Sequence, residues 1–170
     1  IYDPVGDRML IFGGTTNSLF TTNDLFQLTF DPVPHWTQLT PPGAPPARVD
    51  GTAIYDEPRR RMIVFGGQGC CSKLNDVWAF NLATNSWTQL SPTGPAPTGR
   101  YQHTAVYDVR RQRMLVHAGY TETGNVSDTW ELDLAVNPPA WTKLTPTGET
   151  PLQRYRHVAA YDPVRDRMLV

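Results

Sequence analysis

The chain repeats itself, and the repeat limits what it can fold into more than any other feature. Tyr-Asp recurs at Tyr2, Tyr55, Tyr107 and Tyr161, at intervals of 53, 52 and 54 residues. An Arg-Met pair follows each one: Arg8-Met9, Arg61-Met62, Arg113-Met114 and Arg167-Met168. Next comes a glycine pair, Gly13-Gly14 and Gly66-Gly67, written Ala118-Gly119 in the third copy. An Asp then stands two residues before an aromatic (Asp24/Phe26, Asp76/Trp78, Asp128/Trp130), and a further Trp closes each copy at Trp36, Trp87 and Trp141. Proline-rich linkers follow and end on Arg48, Arg100 and Arg154. A period near 50 residues means one supersecondary unit copied side by side, each copy covering its neighbour's apolar face.

Each copy reads as four short strands. In the second, "TAIYD" alternates and is followed by the charged turn "DEPRR". "RMIVFGG" is almost continuously apolar, as expected of a strand covered on both faces. "DVWAFNL" and "SWTQL" follow, separated by turn residues, and no stretch sustains helical spacing. Four antiparallel strands per unit make one propeller blade. The fold class is therefore all-β, with blade units at about 1–47, 48–99 and 100–153 and the start of a fourth at 154–170. The chain begins and ends inside its motif, so about three blades are expected here, part of a larger ring of about six or seven. The other expectation is that copies associate to cover the exposed blade flanks.

In these residues the chain resembles kelch-repeat β-propellers, in the "YDPxxDRMLVFGG" style common in bacterial kelch proteins. The diglycine ending the second strand, the Tyr before that strand and the downstream Trp carry the likeness over essentially the whole chain. The resemblance implies export, to the cell envelope or outside the cell. Glycine suits a strand end that lies close against neighbouring backbone with positive φ, so Ala118 predicts a blade that turns slightly differently. His117 replaces Phe12 and Phe65 and reads as a packed core histidine.

In an up-and-down blade the turns between strands 1 and 2 share one side. Here they are "DPVGDR", "DEPRRR", "DVRRQR" and "DPVRDR". Their mixed charge reads as solvated hairpin chemistry worth little per pair. The opposite side carries the segments between strands 2 and 3, "TTNSLFTTN", "QGCCSKLN" and "YTETGNVS", which differ from unit to unit as binding loops do. Leu19, Phe20 and Tyr120 are candidate anchors there, or side chains folded back onto the blade. Arg48, Arg100 and Arg154 reach the same side beside the innermost strand, at the mouth of the central channel. Arginines matching this position line the peptide pocket of kelch adaptors of ubiquitin ligases, so the resemblance implies an anion-binding role. The competing role is to bond neighbouring blade carbonyls, which recurrence in every unit favours. His103 and His157 read as core or loop-bonding histidines.

Cys70-Cys71 allows two states. Neighbouring Cα atoms lie about 3.8 Å apart, below the usual disulfide range of about 4.4–6.8 Å. A vicinal disulfide ring is one state; two reduced thiols are the other, expected unless the protein is extracellular. Two cysteines without matching histidines make no zinc motif. No nucleophile elbow, His-Glu-x-x-His or phosphate-binding glycine loop occurs, so no catalytic residue, metal or cofactor is assigned. Net charge is −1 and Lys and Arg recur singly or in short clusters rather than in one basic stretch, which predicts no nucleic-acid partner, and no apolar run approaches the roughly 20 residues of a membrane span. The expected function is a non-catalytic binding or scaffold module for a protein, peptide or glycan, using the variable 2–3 loops and the 4–1 linkers. The alternative is a segment of a propeller enzyme such as a galactose-oxidase-like carbohydrate oxidase.

Overall fold

The computed structural model describes residues 1–16 and 20–170. Strands β1 (Tyr2–Asp3), β2 (Arg8–Thr16), β3 (Phe20–Thr29) and β4 (His35–Leu39) form one antiparallel sheet in chain order. The second sheet orders β5 (Thr52–Asp56), β6 (Arg61–Gln68), β7 (Lys73–Asn81) and β8 (Ser86–Leu90). A short strand β9 (Arg100–Tyr101) precedes the third, made of β10 (Thr104–Asp108), β11 (Arg113–Thr121), β12 (Gly124–Asp133) and β13 (Ala140–Leu144). A hairpin of β14 (Ala160–Asp162) and β15 (Arg167–Leu169) follows. One 3-10 turn, Glu57–Arg59, is the helical content of the described residues. Each four-stranded antiparallel sheet in chain order is one propeller blade.

The cores lie between sheets. Leu10 and Leu25 of the first sheet pack against Met62, Val64 and Phe80 of the second. Ile63, Phe65 and Val77 of the second pack against Met114, Val116 and Leu132 of the third. Alternate residues of β6 therefore serve two different cores, which is why its sequence shows no polar face. The outer-strand tryptophans complete these contacts. Trp87 lies 4.8 Å from the Phe12 ring and Trp141 lies 5.0 Å from Phe65, each on the preceding sheet. Burying each of these large side chains contributes about 1.5–3 kcal/mol.

The diglycine marks a β-bulge, where the strand 2–strand 3 register shifts at Phe12/Gly14, Phe65/Gly67 and His117/Gly119. A Cβ on Gly66 would stand 2.8 Å from the Arg100 carbonyl. Ala118 adopts the same left-handed conformation, with φ 58° against 63° at Gly66. The expected change of turn in the third unit is therefore absent: bulge and register repeat, with the alanine buried.

The Tyr-Asp pair also proves to be more than solvated hairpin chemistry. Asp3, Asp56 and Asp108 are buried. Asp108 accepts backbone N–H bonds from Arg110 and Arg111 and side-chain bonds from Arg111 and Arg113. Tyr161 of the next unit donates its hydroxyl to the same carboxylate at 2.8 Å, and Tyr107 likewise to Asp56 at 3.2 Å. Burial pushes the Asp108 carboxyl up, but the bonds from Tyr161, Arg111 and Arg113 outweigh it and hold it at about 2. At Asp56 and Asp108 the motif thus both closes a hairpin and ties it to its neighbour.

Candidate functional site

The face opposite those hairpins is built by the far ends of the strand 2–strand 3 ribbons and by the linkers. The ribbons pair further than their sequences suggest. Thr16 pairs with Phe20, Gln68 with Lys73 and Thr121 with Gly124. Phe20 and Tyr120 accordingly sit on strands rather than in open loops. Phe20 is 71% exposed, whereas Tyr120 is half-buried. Leu19 lies outside the described residues.

Two of the linker arginines are turned inward. Arg48 is 2% exposed and grips Asp76 with both terminal nitrogens, at 2.7 and 2.9 Å. It also donates to the Gly66 carbonyl at 3.1 Å. Arg100 is 0% exposed and grips Asp128 at 2.7 and 3.0 Å, with a further bond to the Ala118 carbonyl at 3.0 Å. Trp78 and Trp130 donate their indole N–H to the same carboxylates, each at 2.7 Å. Burial pushes Asp76 and Asp128 up, but the bonds from these arginines and tryptophans outweigh it and hold both below the usual carboxylate range. Arg48 and Arg100 thus fasten each linker to its own blade instead of lining the channel mouth, because Asp76 and Asp128 of those blades meet the forks first. Arg154 is half-buried and bonds the Leu152 carbonyl at 3.0 Å.

At the inner edge of this face, the place expected for a channel mouth, stand the residues two positions beyond each arginine. Asp50, Gln102 and Arg156 all adopt left-handed backbone, with φ of 57°, 54° and 59°. They form a ladder from blade to blade: Gln102 N–H donates to the Asp50 carbonyl at 2.9 Å and Arg156 N–H to the Gln102 carbonyl at 3.0 Å. The three border an open concavity of about 540 Å³ together with Gly51, His103 and His157. His103 and His157 bond the hydroxyls of Thr52 and Thr104 through Nε2, at 2.8 and 3.0 Å. Their Nδ1 atoms have no protein partner among the described residues. Burial, with the charge of Arg100 and then His157 adding to it, pushes His103 down to about 3. Burial likewise lowers His157 and His117.

Beside this mouth runs a row of tyrosines. The Tyr101 and Tyr120 rings lie 5.5 Å apart, and Tyr120 meets Tyr155 edge-on at 5.8 Å. Tyr120 and Tyr101 are brought together by pairing of β11 with β9. The Lys73 ammonium stands 5.3 Å from the Tyr120 ring and also bonds Glu122 at 3.0 Å. The Arg156 guanidinium stands 5.8 Å from the Tyr155 ring. Tyr101, Tyr155, Asp50, Gln102 and Arg156 were not singled out from sequence. Their signal was the linker phase: a fixed backbone position whose side-chain chemistry changes from unit to unit. Cys70 and Cys71 are exposed free thiols on the neighbouring turn.

Blades of this topology with a variable upper face define a kelch-type β-propeller domain. Residues 3–170 match the KLHDC2/KLHL20/DRC7 Kelch-repeats domain, and the chain belongs to that family. It is 32% identical over 157 residues to Adagio-like protein 3 of Oryza sativa subsp. japonica, which covers 90% of this chain and 24% of that protein. Over 105 residues it is 40% identical to Dynein regulatory complex subunit 7 of Chlamydomonas reinhardtii, covering 61% of this chain and 9% of the relative. It is 29% identical over 168 residues to Kelch domain-containing protein 10 of Homo sapiens, covering 94% and 36%. The chain thus spans a minor part of each relative's length. These relatives are eukaryotic, so the bacterial and secreted expectation drawn from the motif style finds no support. No helix of the described residues is long and apolar enough to cross a membrane.

Proposed function

We propose that this chain is a protein-interaction module that holds an extended protein segment against the tyrosine row and the channel mouth. The observation that carries this reading is the row Tyr101–Tyr120–Tyr155, flanked by Lys73 and Arg156 on the same face as the Asp50–Gln102–Arg156 ladder. Tyrosine and arginine are enriched among residues that dominate binding energy, since they offer large contact area and a polar tip at low entropic cost. The ladder supplies an acid, an amide and a base at equivalent backbone points, so it discriminates between segments by charge. Under this reading Arg48 and Arg100 act as positioning residues for the linkers, and Phe20 adds an outlying apolar contact. The carbohydrate-oxidase alternative gains nothing from these relatives.

Peptide-library selection on the immobilised protein tests the reading. Enriched peptides should lose about tenfold or more in affinity on Tyr120→Ala. Arg156→Glu should change the charge preference of the selected pool. Arg110→Glu, on the hairpin face, should leave binding intact. Peptides insensitive to the first two changes and lost with the third would place the binding surface on the other side.

A further inference from the structure

The turn between β6 and β7 carries two adjacent thiols that the binding reading does not use. Cys70 and Cys71 are its central residues. The turn is closed by Gly69 N–H donating to the Ser72 carbonyl at 3.0 Å. Gln68 Nε2 clamps it from inside, donating to the Gly69 and Ser72 carbonyls at 3.0 and 3.3 Å. Both cysteines are exposed and free, and their sulfurs are 2.8 Å apart. They are the two cysteines of the sequence, so no other thiol within it competes for either.

A bond between them would close an eight-membered ring across Cα atoms about 3.8 Å apart, short of the usual range. It would enclose no loop, so it could not act as a staple through loop-closure entropy. A strained and exposed disulfide of this kind is the easily reduced kind. The geometry suits exchange rather than permanent cross-linking.

We propose that Cys70 and Cys71 form a redox-active vicinal dithiol that exchanges with low-molecular-weight disulfides such as glutathione disulfide. The Cys70 thiolate attacks one glutathione sulfur, forming a mixed disulfide and expelling one glutathione thiolate. Cys71 gives its proton to that thiolate and attacks the Cys70 sulfur, expelling the second glutathione, which takes up the proton Cys70 had released. Two protein thiols are oxidised and one glutathione disulfide becomes two glutathione thiols. The Cys71 thiol is pushed up by its hydrogen bond and charge interaction with Cys70, an effect that ends once Cys70 is held in the mixed disulfide. The residue after the turn, Lys73, stands against Tyr120 and Tyr101. Closure of the ring would therefore fix one flank of the tyrosine row; that consequence alone rests on the proposed binding face.

The test is incubation of the protein in glutathione buffers of increasing oxidation, quenching with N-ethylmaleimide, and tryptic mapping of the peptide 62–73, which holds both cysteines. In oxidising buffer the peptide should lack both labels and be two hydrogens lighter, and dithiothreitol should restore two labels. Cys70→Ser and Cys71→Ser should instead carry a glutathione adduct on the remaining cysteine. Persistent double labelling of the wild-type peptide across the series, or a stable glutathione adduct on it, would overturn the proposal. Affinity of selected peptides for the reduced and oxidised forms is a separate readout, whose failure leaves the mass result standing.

Discussion

Replacing Arg100 by Met decides whether the linker arginines hold the fold or await a ligand. Arg100 is wholly enclosed, and its fork makes two bonds to Asp128 and one to the Ala118 carbonyl, while Nε bonds the Thr98 carbonyl at 3.1 Å. The methionine would fill much of the volume but leave Asp128 with the Trp130 N–H as its remaining side-chain partner. Removing one member of a buried ion pair costs about 3–5 kcal/mol. The lower end applies, because the Asp128 side chain keeps 18% exposure and some hydration. That loss is a large part of the roughly 5–15 kcal/mol that holds a domain together. Equilibrium urea unfolding reads it directly. Arg100→Lys should recover only part, since an ammonium cannot supply the planar fork. Adding Asp128→Leu to Arg100→Met should cost less than the sum of the two single changes. A cost under about 1 kcal/mol for Arg100→Met, with peptide binding abolished, would refute the fastening role and return this arginine to the ligand site.

Four other outcomes follow from contacts elsewhere in the sheets. His103 is held near 3 in the folded protein, against about 6.5 unfolded, so the unfolded chain binds the extra proton. Its contribution is full above the unfolded value and is lost as pH falls from about 6.5 toward 3; between pH 7 and 5 it amounts to about 2 kcal/mol. Urea midpoints of wild type and His103→Gln at the two pH values should differ by that amount of pH dependence, and equal slopes would contradict it. Gly66→Ala forces a left-handed alanine, costing roughly 1–2 kcal/mol, and sets its Cβ 2.8 Å from the Arg100 carbonyl, so its thermal midpoint should drop clearly. Tyr107→Phe removes an inter-blade bond to the buried Asp56 and should cost about 1–2 kcal/mol in chemical denaturation. Tyr55→Phe should be neutral or stabilising, because its buried hydroxyl makes no hydrogen bond of normal length among the described residues.

The period, the strand count and the apolar run of β6 were legible in the sequence alone. A repeat that cannot cover itself must stack, and stacking demands two apolar faces on the central strands. The diglycine, the Tyr-Asp pair and the closing tryptophan announced themselves by recurrence, since each copy faces the same packing problem. Recurrence could not say where a side chain's bonds end. Arg48 and Arg100 look like free cations until Asp76 and Asp128 close on them from 28 residues away. The tyrosine row is assembled from Tyr101, Tyr120 and Tyr155, which adjoin one another only because β9 pairs with β11 and the next linker passes alongside. What a repeat needs from itself is local and periodic, and so is written in the chain. What it offers to a partner lies at the seams between copies, and only the stacking of the sheets brings it together.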